Sequence, residues 1–392
     1  LEKQFGYKTE IDIPDENPAL HFLVQSMKLL KAGGILSMIQ PSGPLLYQKD
    51  LKFKEDVFST YNLLQVIDFT KLADKLWGKK NVSTAAVFLQ KSRPDSEPVL
   101  HLIANRTFSN ANKLFLEFDY YDFHFMSKND AIFKPYTWKA HLLGGGRITS
   151  LIERLSTLPT LKEFLKEKER KEGWCVGIGY IIGDKSNKAD FITGKETIPV
   201  EALTENGIDE KQIHECLIQR FERPRKTKKK IYEGPHILIR VITGNQGIPI
   251  AYSEKYLTFP FGIIGIHAPQ DDKSELSALY DYLRENNSLL RSYILATSGR
   301  AMIGKATSIN KDDIMRIPYS HNKNDIIFSE AEKIIIEEIA DKRKTEEIAV
   351  LNADITKFAS VFCKTLNSVY QIDNGKFQPY KILNTENYIA IH

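Results

Sequence analysis

Between Asn17 and Lys91 helix-spaced apolar residues alternate with short continuous apolar runs, and this pattern restricts the fold more than any other feature. Leu20, Leu23, Met27 and Leu30 share one helical face over residues 17–32, with Phe22 and Leu29 beside them. Gly33-Gly34 ends that helix as a left-handed cap would. Ile35–Ile39 follows as a short apolar strand, expected to be buried on both faces, and Pro41 stops its ladder. A weak helix is expected over Lys52–Phe58, and strands over Leu63–Phe69 and Ser83–Gln90, the last after the polar loop Gly78–Asn81. This alternation predicts an α/β sheet. Its layout is that of the second half of a doubly wound sheet, although on pattern alone any α/β domain fits equally well. The chain opens at Leu1 without an initiator methionine and holds no first half of such a sheet, so it is expected to be a piece of a longer polypeptide.

The remaining 300 or so positions of the 392 leave room for one or two further domains. The net charge is only +4, so the placement of cations matters more than their sum. Cys175, Cys216 and Cys363 are far apart and odd in number, which points to buried thiols in a reducing, cytoplasmic setting. No apolar run has the length of a membrane span, so no membrane partner is expected. No histidine–cysteine–carboxylate spacing implies a metal.

The residues LKAGGILSMIQPSGPLL, then LLQVIDF, then LWGKKNVSTAAVFLQK resemble the later motifs of amino-methylating DNA methyltransferases. The match is to the adenine-N6 family of restriction–modification systems, of the type I and type IIG kind. The resemblance implies that the turn at Pro41 lies beside the catalytic loop. It also implies that an aromatic in the GKK loop packs against an adenine flipped out of the duplex, with Trp77 the nearest candidate and Leu76 beside it. Lys79 and Lys80 in that loop are candidate DNA contacts. The bland alternative for Trp77 is a packing tryptophan. The family's glycine-rich S-adenosylmethionine motif and its Asn-Pro-Pro-aromatic motif do not occur here. The glycines of Val176–Gly183 run into the polar DKSNKAD rather than a helix, and so fail the context of a cofactor loop. The cofactor therefore belongs to the parent protein. This chain by itself is expected to bind none and to be inactive as a methyltransferase.

Past VLHLIANR the alternation stops. Gly144–Gly146 before a helix at Ile148–Leu155 can hold a phosphate or, more simply, connect domains. Strands are expected at Gly234–Ile242 and in IPIAYS and LTFPFGIIGIHA, with a tight turn at Gly244–Gly247 and one long helix over Ser274–Leu295. That helix, the loop ATSGRAMIGKATSINK and the ending MRIPY resemble the target recognition domains of the same proteins. Arg220, Arg223, Arg225, Lys226, Lys228, Lys229 and Lys230 form a cluster able to neutralise phosphates, or an ordinary solvated loop. Arg240, Asn245, Gln246, Arg300 and Lys305 carry the directional groups that base reading needs.

Residues 328–347 and 350–370 are expected to be helical, the second with Leu351, Ile355, Phe358, Phe362, Leu366 and Val369 along one face, and the last residues to close as a hairpin. The expected architecture is thus α/β plus α+β. Residues 1–100 form the C-terminal part of a methyltransferase-like Rossmann domain, 101–320 a DNA-binding target recognition domain and 321–392 a helical tail. The expected partner is double-stranded DNA, with a restriction or specificity subunit as a further candidate. The alternatives are a non-catalytic DNA-binding specificity module and an unrelated α/β protein with a basic loop.

Overall fold

A computed structural model describes residues 11–47, 51–77, 82–110, 113–118, 122–183, 187–242, 247–301, 303, 309–320, 328–336, 355–370, 376–384 and 389–391. The fold is mixed α/β, with two principal sheets.

Helix α1 (Pro18–Leu29) starts where the Asn17 side chain accepts the Ala19 N–H at 3.0 Å, and it buries Leu20, Leu23, Val24 and Met27. Gly33 takes φ 75°, which lets the chain turn into β1 (Ile35–Pro41). Helix α2 (Leu51–Thr60), β2 (Asn62–Asp68), α3 (Ala73–Trp77) and β3 (Thr84–Gln90) follow. Strand β3 lies between β1 and β2 and runs antiparallel to both, so β1 and β2 are parallel to each other. Strand β4 (Val99–Ile103) adds in parallel beyond β2. After a separate hairpin of β5 (Arg106–Asn110) and β6 (Lys113–Glu117), β7 (Phe123–Met126) closes the far edge. The sheet therefore runs past residue 100, and the core beneath it reaches Trp138 and Leu142.

The two faces of this sheet differ. Helices α1 and α2 pack on one, with Val66, Val87 and Met126 in the core. The other carries two cross-strand rows, Ile39–Ala86–Ile67–Leu102–Phe123 and Ser37–Phe88–Gln65–Leu100–Phe125. Neither row contains a charge, yet Ile39 is 55% and Phe125 66% exposed. The expectation that Ile35–Ile39 is buried on both faces is thus corrected. It is an edge strand, and its Ile35 and Ile39 point to the open face.

Helix α4 (Lys128–Phe133) and α5 (Pro135–Leu142) follow, the second holding the fully buried Trp138, whose indole N–H donates to the Ala131 carbonyl at 3.0 Å. Helix α6 (Gly146–Ser156) and α7 (Leu161–Lys171) lead to the second sheet, α7 from a Thr160–Glu163 capping box. This sheet is formed by β8 (Cys175–Ile178), β9 (His236–Arg240), β10 (Ile250–Ser253) and β11 (Ile263–His267), in the order β10–β9–β11–β8 and antiparallel throughout. Both of its faces are covered. Ile237, Ile239, Ile264 and Ile266 meet helix α8 (Lys273–Glu285) and α9 (Asn287–Thr297), whereas Leu238 and Ile263 meet Tyr180, Phe221, Tyr232 and Phe259.

The single helix expected over Ser274–Leu295 is two. Asn287 breaks it, because its side-chain carbonyl accepts the Ile248 N–H at 2.6 Å and its amide donates to the Ile248 carbonyl at 2.9 Å. A short α10 (Lys311–Met315) and the tail helix α11 (Ile355–Val369) follow. In α11 Ala359 and Cys363 are buried while Phe362 and Val369 are exposed; Leu351 and the Phe358 side chain lie outside the described residues. The expected terminal hairpin pairs Ile382–Asn384 with Ile389–Ile391. All three cysteines are buried free thiols. No described helix is long and apolar enough to cross a membrane.

Candidate nucleic-acid interface

The carboxyl ends of β1 and β2 lie at one edge of the first sheet, with the amino end of β3 between them. Open α/β sheets bind ligands outside such ends. Thr84 pairs with Pro41 across the ladder, and its Oγ1 accepts a 3.0 Å hydrogen bond from the Trp77 indole N–H. The structure thus brings Pro41 and Trp77 to one place, and Trp77 is 43% exposed there.

The loop after α9 packs back onto this block. Ile303 packs against the core of the first sheet and lies 4.0 Å from where a Cβ on Gly43 would stand. The buried Lys139 ammonium donates to the Ala301 carbonyl. Ser298 Oγ accepts the N–H groups of Arg300 and Ala301, both at 3.2 Å, and donates to Asp313 at 3.0 Å. Arg300, between these anchors, is exposed.

Beneath the edge is a buried polar network with no signal in the sequence. Ser42 and Thr70 hydroxyls are 2.6 Å apart, and Asp68 accepts the Thr70 N–H at 2.8 Å and the Tyr47 hydroxyl. Asp68 also accepts His101 Nε2–H at 3.4 Å. A carboxylate can only accept, so His101 Nδ1 is left to accept from His141 Nδ1–H, 3.2 Å away. Burial opposes the Asp68 charge, but hydrogen bonds from His101, Thr70 and Tyr47 outweigh it and hold the carboxyl below its usual range. Burial and the Asp68 charge push the Tyr47 phenol well up. The network holds the two strand ends in place.

The basic segment packs on the second sheet. Lys226–Tyr232 forms a 3-10 turn whose Ile231 side chain packs on Gly177 and lies close to Gly265 in the second sheet. Arg225, with φ 64°, donates Nε–H to the Gly179 carbonyl at 3.3 Å, and Lys228 donates to Glu169 at 2.6 Å. Two of the seven cations are therefore tied to the fold, while Arg220, Arg223, Lys226, Lys229 and Lys230 are exposed. Arg240 is half-buried and donates to the Leu203 carbonyl at 3.4 Å. Lys79, Lys80, Asn245, Gln246 and Lys305 lie outside the described residues.

The glycines of Val176–Gly183 cannot cradle a cofactor. A Cβ on Gly179 would stand 2.2 Å from the Phe259 carbonyl oxygen, and one on Gly177 3.3 Å from Ile231. These glycines serve close packing, and the residues present do not fit an S-adenosylmethionine site there.

No protein-family model and no curated protein matches the chain. Among solved structures it is similar to the type IIG restriction endonuclease BpuSI, at 12% identity and a TM-score of 0.31, over 93% of this chain and 48% of that one. It is also similar to the type IIL restriction-modification enzyme MmeI in complex with DNA, at 13% identity and a TM-score of 0.35, over 91% and 50%. A type I R-M system matches at 23% identity and a TM-score of 0.19, over 22% and 18%. The chain thus spans half the length of these proteins or less.

Proposed function

We propose that the chain is the recognition-bearing part of an adenine-N6, S-adenosylmethionine-dependent DNA methyltransferase of a restriction–modification system. Its own task is then sequence-specific binding of double-stranded DNA. The observation that carries this is the packing of Ala301 and Ile303 against the same block whose strand ends hold Pro41 and Trp77. A duplex lying along that edge meets a half-exposed indole from one block and an exposed Arg300 from the other. The motif order in the sequence supports the same assignment.

In this reading an adenine rotated out of the duplex stacks on Trp77, whose indole is oriented by its bond to Thr84. The outward cations of the basic turn hold phosphates and set position without reading sequence. The donor and the catalytic loop belong to the rest of the parent protein, so no methyl transfer is assigned to these residues. Calorimetry of the chain alone should show no binding of S-adenosylmethionine; micromolar binding would place the donor site here instead.

The direct test uses a duplex with one unpaired adenine. Trp77→Ala should weaken binding of that duplex by roughly 1–3 kcal/mol, the worth of one base stacked on an aromatic, and leave a fully paired duplex unaffected. Equal affinity of both proteins for both duplexes would remove Trp77 from the base site.

A further inference from the structure

A cavity of about 90 Å³ lies in the seam between the first block and the recognition-like block. Tyr47 and Lys139 line it from one side, and Tyr293, Ser298 and Arg316 from the other. Each of its eight lining residues bears a hydroxyl or a cation, and none bears a carboxylate. Most of the hydroxyls already have partners. Tyr47 donates to Asp68, Ser298 to Asp313, and Tyr136 and Tyr293 bond Glu153 and Ser156. The uncommitted donors are the cations. Lys139 is buried, spends one of its three N–H bonds on the Ala301 carbonyl and stands 5.9 Å from the centre of the Tyr47 ring. Arg316 is exposed, and its guanidinium has no hydrogen-bond or ion-pair partner among the described residues.

We propose that this cavity is an oxyanion site that takes one phosphate group between Lys139 and Arg316. The charges of Asp313 and Asp68 reach this buried ammonium, but neither carboxylate hydrogen-bonds it, and a cavity with room for several waters leaves its remaining protons without a protein oxygen to accept them. Burial, offset only in part by the charges of Asp313 and Asp68, pushes the Lys139 amine down to about 7. A tetrahedral oxyanion supplies the missing acceptors and negative charge, and a guanidinium matches two of its oxygens at once. The group is either a phosphodiester of bound DNA or free phosphate. The site stands on the cavity itself and not on the DNA-binding assignment.

Inorganic phosphate titrated into the full chain by calorimetry, at constant ionic strength, tests it. The wild type should bind saturably, and Arg316→Gln, at an exposed position, should weaken binding at least about tenfold. Lys139→Met, which keeps the buried stem, should abolish it. If saturating duplex DNA displaces phosphate, the natural occupant is a DNA phosphodiester; if phosphate still binds, it is free phosphate. Absence of saturable binding by the wild type, or equal binding by wild type and Arg316→Gln, overturns the proposal whether or not the chain binds DNA.

Discussion

His236 is fully buried on β9, with Nδ1–H donated to the Ile231 carbonyl at 2.8 Å and Nε2 without a partner among the described residues. Burial, with the neighbouring His267 charge, lowers it to about 4. His141 is lowered further, again mainly by burial, then by the charges of His101 and His124. A histidine whose folded value lies below its unfolded one favours folding only while neutral. That contribution is complete above the unfolded value near 6.5 and is lost as pH falls through the window toward 4. For His236 the loss amounts to roughly 3 kcal/mol. The wild type should therefore lose stability steeply between pH 6.5 and 4 in chemical denaturation, and His236→Asn should flatten the curve. Parallel curves would exclude His236 as the cause. Neither histidine was legible in the sequence. The contacts of the Asp68–His101–His141 network span 33 and 40 residues, with no period or motif to join them. Trp77 and Pro41 were legible only through the resemblance, and the bond of Trp77 to Thr84 was not.

Among the elements, α1 and strands β1, β2 and β3 fall within a residue or a few of where periodicity puts them, because helical spacing and apolar runs are local signals. What failed was non-local. The exposure of Ile35 and Ile39 depends on β1 being an edge, and strand order is not written in the strand itself. The break between α8 and α9 depends on Asn287 reaching Ile248, 39 positions away, past a Gly247 that leaves room for it. Asn287→Ala removes both bonds and leaves the Ile248 N–H and carbonyl short of a partner. It should cost roughly 1–3 kcal/mol by denaturant unfolding. A change within error would mean that the helix break has another origin. The basic turn shows the same limit: charge clustering was visible, but its division into tied and outward cations was not. Lys228→Gln should cost at most about 1 kcal/mol, the ceiling for a partly exposed pair such as that with Glu169.

For the whole molecule, the contrast between the two sheets is the main structural fact. The second is covered on both faces, whereas the first exposes Ile39 and Phe125 at opposite edges of an uncharged face. An exposed apolar surface of this kind drives association. The isolated chain should self-associate in sedimentation experiments, and Ile39→Ser with Phe125→Ser should shift it toward monomer. A wild type that stays monomeric at high concentration would contradict the open face. The chain is assigned to duplex DNA. The measurement that tests it most directly is the affinity of the chain for duplex DNA as a function of salt. Each phosphate neutralised contributes about 0.9 to the slope of log K against log salt. The wild type should show a negative slope of several units. Replacing Arg220, Arg223, Lys226, Lys229 and Lys230 with Gln should flatten it equally for all sequences. No binding, or binding indifferent to salt, would contradict the assignment of this chain to DNA.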